Sequence, residues 1–258
     1  MPGYEKNLSA ESPVLVGCAG WALSSTTAAH FPVQGTHLER YAQVFPAVEI
    51  NSSFYREHQA KTYARWAASV PDAFRFSVKA PRTITHERRL RDVDDLLLRF
   101  VDQLASLGEK LGCLLVQLPP SLRLDVLEAA RFFALLRGQV SVPIVCEPRH
   151  ASWFTAAAGE MFRQQGIACV HAHPAPVPGV EPVGEADILY LRLHGAPQMY
   201  YSAYDEAFIA AAAARIAAAR RAGQRAWCIF DNTAAGQAIP NALSLMHMLE
   251  SKGLETMS

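Results

Sequence analysis

The chain has 258 residues, half of them hydrophobic, and its 24 basic side chains balance 24 acidic ones. That length suits one barrel domain of about 250 residues, and the balance leaves no global field to draw the protein onto nucleic acid or an anionic membrane. Five cysteines without a C-x-x-C spacing argue against a zinc or thioredoxin-type site. Four of them, Cys113, Cys146, Cys169 and Cys228, sit in apolar runs where free cysteine packs as a small hydrophobe. Reduced thiols are expected, and with them a cytoplasmic setting. The first dozen residues lack the basic start and apolar stretch of a secretory signal. No apolar run approaches the roughly 20 residues that span a bilayer.

The predicted elements alternate along the chain. A first strand over 14–20 precedes a helix over 37–45 whose stripe is Leu38, Tyr41, Ala42 and Phe45. Strand 47–54, helix 61–70 and strand 74–80 follow. Asp92 is placed to N-cap a helix that buries Leu96, Phe100, Leu104 and Leu107 and ends at Gly108. Then come strand 113–118, helix 125–136, strand 143–149, helix 152–165 and strand 167–173. Residues 173–187 hold four prolines and two glycines without helical period, which reads as a surface loop, or a lid, in place of a helix. Strand 188–194 precedes an alanine-rich helix over 205–222, with acids at its start and Arg220 and Arg221 at its end, as the macrodipole favours. Strand 226–232 and a helix from Pro240 to Leu249 complete the series.

Eight nearly continuous apolar strands separated by helices predict an α/β fold, a single (β/α)8 TIM-type barrel over residues 13–250. Residues 1–12 and 251–258 read as tails. An open doubly wound sheet is the rival, but the turn Gly17-Cys18-Ala19-Gly20-Trp21 lacks its G-x-G-x-x-G spacing.

Several of these strands end in polar residues, and the C-terminal ends of parallel barrel strands are where such folds build active sites. Strand parity turns Glu49, Asn51 and Ser53 inward, as it does Ser77 and Lys79, Gln117, Glu147 and Arg149, and Tyr190, Arg192 and His194. It does not settle the last strand, where Asp231 and Asn232 face opposite ways between two apolar sets. Glu49, Lys79, Glu147 and His194 are the candidate catalytic residues. Either carboxylate would be a general base, with His194 or His86 as its acid partner. Lys79, Arg149 and Arg192 would bind phosphate or carboxylate. Trp21, Tyr55 and Trp153 are candidates to pack on an apolar or sugar face. Asn51, His86, Gln117, His150 and Asn232 complete the predicted binding set. A buried Glu49–Lys79 ion pair is the structural alternative for those two. His171 reads as a core histidine. Cys18 has no histidine at a recognisable spacing to make it a nucleophile.

The same segments carry a family likeness. Gly17 to Trp21, Glu49-Ile50-Asn51-Ser52-Ser53-Phe54-Tyr55, Val78-Lys79-Ala80 with Ile84-Thr85-His86, and Leu111-Gly112 with Gln117-Leu118-Pro119-Pro120 come first. Glu147-Pro148-Arg149-His150 with Ser152-Trp153, Arg192-Leu193-His194-Gly195 and Phe230-Asp231-Asn232-Thr233 follow in order. Together they resemble the YecE-like proteins, domain of unknown function 72, over about residues 14–249. The resemblance implies a TIM-type barrel and supplies no reaction. It also implies a hydroxyl residue where Cys18 stands and paired asparagines where Asp231-Asn232 stands. Neither a Cys18 nucleophile nor an obligatory role for Asp231 as base or metal ligand follows from it.

The resulting expectation is an enzyme acting by acid–base chemistry on a small anionic or sugar-like metabolite, with isomerase, lyase and hydrolase chemistry all open. No cofactor motif occurs. One alternative is a metal-dependent, sugar isomerase-like or hydrolase barrel, with a divalent ion on Glu49, Glu147, His171, His173 or His194. The other is a non-catalytic binder of a metabolite or nucleic acid, against which the absence of a basic, aromatic-interleaved stripe weighs in the nucleic-acid case.

Overall fold

The computed structural model describes residues 14–184 and 186–254. The predicted N-terminal tail lies outside these residues, as do the last four of the C-terminal tail; Leu254 packs against the core. Every strand pair is parallel, and the order is β6-β5-β4-β3-β2-β1-β9-β8-β7. The strands are β1 (Val14–Ala19), β2 (Ala47–Ile50), β3 (Arg75–Lys79), β4 (Leu111–Gln117) and β5 (Ile144–Glu147). They continue with β6 (Ile167–Cys169), β7 (His171–His173), β8 (Ile188–Leu193) and β9 (Arg225–Phe230). β6 and β7 are two halves of one run: β6 pairs with β5 and β7 with β8. The two ends of the strand order are thus consecutive in the chain, and the cylinder closes through Val170 as a TIM-type barrel.

Among the described residues seven α-helices cover it: α1 (His37–Ala42), α2 (Ala60–Ala68), α3 (Asp94–Leu104), α4 (Val126–Gln139), α5 (Ala156–Gln165), α6 (Glu206–Arg221) and α7 (Ala238–Glu250). Local chemistry starts several of them. Thr36 and Glu39 form a capping box on α1, and Asp125, Thr155 and Asp205 accept from the third backbone N–H of α4, α5 and α6. The sixth unit has no helix among its described residues, as its prolines predict.

Several boundaries shift from expectation, and three of the shifts bear on the site. β2 stops at Ile50, because Asn51 turns into a 3-10 turn over Ser52–Phe54. Val93, not Asp92, caps α3; Asp92 has a φ of 50° in a strained turn after the π-helix Thr83–Glu87. α5 begins only at Ala156, since His150 and a 3-10 turn over Ala151–Trp153 intervene.

One core lies between sheet and helices and a second fills the lumen, where Leu115, Val145, Val170, Tyr190, Trp227 and Ile229 meet. Trp227 stacks on Tyr190 at 5.9 Å and forms the floor. Gly112 makes room for it: a Cβ there would lie 2.8 Å from the indole. Trp227 and Ile229 face inward, so Asp231 two residues on does too, and Asn232 turns out. The same parity puts Val170 and Ala172 inside and His171 and His173 outside. There His171 meets Arg215 of α6, while His173 packs on Tyr204 and Phe208.

Candidate active site

Above the Trp227–Tyr190 floor lies a layer of charge centred on Arg192, which is wholly buried. Its Nε and Nη2 grip Glu49 at 2.8–3.2 Å, Nη1 reaches Glu147 at 3.1 Å, and Nη2 reaches Asp231 at 3.0 Å. Tyr190 donates its hydroxyl to Glu49 at 3.0 Å and meets Ser77 at 2.8 Å, which anchors the carboxylate from below. Residues from β2, β5, β8 and the end of β9 are therefore one network. A buried guanidinium is tolerated because fixed carboxylates replace its water.

Glu147 is the second node. It accepts from Gln117 at 2.9 Å, from Arg149 at 2.9–3.0 Å and from His194 Nε2 at 3.3 Å. Burial alone would raise its carboxyl, but Arg192, His194 and Arg149 outweigh that and hold it well below the usual carboxylate range. A carboxylate so stabilised is a weak base. Glu49 has both oxygens taken by Arg192 and Tyr190. Both carboxylates are thus engaged by cations, an arrangement that weighs against the expected general-base role for either.

His194 is pinned between two anions, with Nδ1 3.0 Å from Asp231. Burial would lower its pKa, yet Glu147 and Asp231 raise it above the ordinary imidazole value. Asp231 itself is held low, since Arg192 and His194 outweigh its burial. A raised histidine stabilises the fold below about pH 6.5, and that contribution fades as pH rises through its folded-state value. Asp231→Asn is expected to bring the His194 titration down and flatten this dependence. Imidazole NMR titration checks it, and an unshifted midpoint would remove Asp231 from the role.

Lys79 stands apart. Its ammonium lies 4.0 Å over the Phe54 ring and makes no ion pair or hydrogen bond among the described residues, so the alternative of a Glu49–Lys79 ion pair is not formed. Ser53 bonds the Lys79 carbonyl at 2.6 Å and so ties β2 to β3 beneath it. Desolvation first, then Arg192, pushes the amine down to about 8, against the pull of Glu49, Glu147 and Asp231. Burial outweighs the three carboxylates because each of them is already engaged by Arg192, Arg149 or His194. His86, edge-on to Phe54 at 4.9 Å, is lowered to about 4 by burial and then by Lys79, Arg82 and Arg149, so it is neutral near pH 7.

The loop after β8 folds over this layer. Gly195 has a φ of 90°, and a Cβ there would lie 2.6 Å from the Ser202 carbonyl, so only glycine allows the return. The loop brings the Tyr200 ring edge-on to His194 at 5.6 Å, with Tyr200 close enough to Arg149 to favour its charge. Arg149, its side chain 22 % exposed, is the cation of the layer most open to solvent.

The remaining predicted residues divide into two groups. Trp21, Asn51 and Tyr55 line a cavity of about 650 Å³ at the ends of β1, β2 and β9, bordered by Trp66 and Thr233. Asn51 Oδ1 is buried there without a partner. Trp153 is 1 % exposed and donates to the Leu122 carbonyl at 2.8 Å, so it is wall packing and not a ligand face. His150 Nδ1 accepts from the Ser152 N–H and organises its own turn. Asn232, turned outward, donates to Ser202 and Asn241 and locks the last strand to α7. Cys18 is buried and pushed up to about 12, which makes it inert as a thiolate nucleophile. Among the described residues no group of three or more His, Cys, Asp or Glu is arranged to hold a metal ion, and His171 and His173 lie outside the lumen. The sequence did not single out Asp231 or Tyr200 for the site. Asp231 needed the lumen contacts of Trp227 to reveal its side, and Tyr200 sits in a loop without periodicity.

A model for "Protein of unknown function DUF72" matches residues 15–257. The UPF0759 protein YecE of Escherichia coli (strain K12) is 32 % identical over 157 residues, 58 % of this chain and 57 % of that protein. The UPF0759 protein YunF of Bacillus subtilis (strain 168) is 27 % identical over 148 residues, 55 % of this chain and 52 % of that one. The chain thus spans just over half the length of the curated relatives it matches. Among solved structures, a DUF72 family protein from Thermotoga maritima MSB8 superposes with a TM-score of 0.77 at 25 % identity, covering 93 % of this chain and all of that one. A sugar phosphate isomerase/epimerase from Parabacteroides distasonis ATCC 8503 shares the fold at a TM-score of 0.57 and 14 % identity, over 99 % of this chain and 100 % of that one. With a family match over nearly its whole length and a barrel shared end to end, this chain belongs to the DUF72 family.

Proposed function

We propose that this protein is an enzyme acting by general acid–base chemistry on a small metabolite with an anionic group, bound at the C-terminal mouth of the barrel. Lys79 carries the reading: a buried amine without an ion-pair partner, beside carboxylates committed to Arg192. In this reading Lys79, part of it uncharged near neutral pH, takes a proton, and His194, held charged by Glu147 and Asp231, gives one. Two groups whose surroundings push their pKa values toward each other suit both directions of proton transfer near neutrality. Arg149 meets the anion with its exposed edge. Glu49, Glu147 and Asp231 position these cations and do not touch the substrate.

Inorganic phosphate serves as the probe. Wild-type protein is expected to bind it at low salt, Arg149→Met at least tenfold more weakly, and Lys79→Met weakly as well. Lys79→Met should keep its Tm or raise it, because it removes a desolvated charge that no ion pair offsets. Equal phosphate affinity in all three folded proteins would sink the reading. No helix among the described residues is long and apolar enough to cross a membrane.

A further inference from the structure

Lys79 has more than a proton to offer. It is one of the few residues of the charged layer with an uncommitted functional atom: Glu49, Glu147 and Arg192 are taken up by one another, Tyr190 and Asp231, and Asp231 Oδ2 by Arg192 and His194. It projects from the C-terminal end of β3, its carbonyl pinned by Ser53 and its amine over the face of Phe54. A merely structural lysine in a layer of carboxylates would be expected to form an ion pair, and among the described residues this one meets only the face of Phe54. We propose that Lys79 is a nucleophile that forms an imine with an aldehyde or ketone bearing an anionic group. This rests on the anion-binding acid–base site above and names its substrate class.

The step balances without any further reactant. The uncharged Nζ gives its lone pair to the carbonyl carbon, and the C=O π pair moves to oxygen, which takes up a proton. Nζ loses a proton, the oxygen takes another and leaves as water, and the C=N bond closes. Overall, an ammonium and a carbonyl compound become a protonated imine and one water. Charge is conserved at the same place, so the groups facing Lys79 meet the product as they met the ammonium. Those groups are Glu49, Glu147, Asp231 and Arg192 from inside the lumen, and His86 from the segment after β3. Phe54 presents its negative face to the iminium as it does to the amine. Desolvation helps the addition by keeping a larger share of the nitrogen unprotonated. With its value near 8, about a tenth is free amine at pH 7, roughly 200-fold more than for an ordinary lysine.

Cyanoborohydride trapping tests it on the full chain. Wild-type protein, Lys79→Arg and Lys79→Met are incubated at pH 7 with pyruvate, glyoxylate or glyceraldehyde 3-phosphate, then read by intact mass and peptide mapping. The expected result is one reduced adduct per wild-type chain, on Lys79, at least tenfold faster than on Lys61, Lys110 or Lys252. Neither variant should carry it. Trapping with pyruvate or glyoxylate assigns an oxo acid, and trapping with the phosphorylated aldehyde assigns a sugar-phosphate-like substrate. The inference is overturned if Lys79 reacts no faster than the surface lysines with all three. Should that occur while Lys79→Met and Arg149→Met still lose phosphate binding, the imine falls and the acid–base reading stands.

Discussion

Replacing Arg192 by methionine is expected to destabilise the protein by about 3–5 kcal/mol at pH 7. For a chain of this size that lowers Tm by roughly 6–20 °C. Methionine matches the volume of the stem, so packing is not the cause. The loss comes from Glu49, Glu147 and Asp231, three buried carboxylates left facing each other without the guanidinium that joins them. The pH dependence separates this explanation from a packing defect. In the wild type, Glu147 and Asp231 are held below their ordinary values. They therefore add stability that is present above about pH 4 and lost as pH falls through their folded-state values. Without Arg192, burial and mutual repulsion push the carboxylates up, and the sign reverses: the variant should be more stable at pH 5 than at pH 7. Denaturant titration at both values checks it. A variant that loses stability equally at both, or loses less than about 1 kcal/mol, would show that the network is not held by Arg192.

Truncating the floor should be comparably severe. Trp227→Ala is expected to cost about 3–5 kcal/mol, because it empties the lower lumen. The damage should also travel upward, since Trp227 stacks on Tyr190 and Tyr190 holds Glu49. Gly112 offers an internal control. Gly112→Ala places a methyl against the indole and should cost roughly 1–3 kcal/mol in the wild type. In a Trp227→Leu background it should cost far less. Four denaturation curves close the cycle, and additive effects would mean that the glycine is not there to admit the ring.

Particular residues show how far the chain could be read unaided. Glu147, Arg149, Arg192 and His194 were legible because apolar alternation along a strand fixes which side chains share a face, and the lumen face of a barrel is shared by all strands. Trp153 and Asn232 stand next to the same motifs, yet the first is buried against the Leu122 carbonyl and the second faces α7, distinctions that adjacency in sequence does not carry. Both alternating sets of β9 between Ala226 and Phe230 are apolar, so the side taken by Asp231 just beyond the strand is shown only by the lumen contacts of Trp227 and Ile229.

Local pattern alone determined the alternating elements, the closed parallel barrel, the absent sixth helix and the rim where polar groups collect. Those follow from burial periodicity and turn chemistry, which act over a few residues. Tertiary structure decided the partnerships: that Arg192, not Lys79, takes the three carboxylates, and that Lys79 is left desolvated and unpaired. Charge pairing inside a barrel depends on which side chain reaches farthest across the lumen, and that distance exists only once the strands have closed around it.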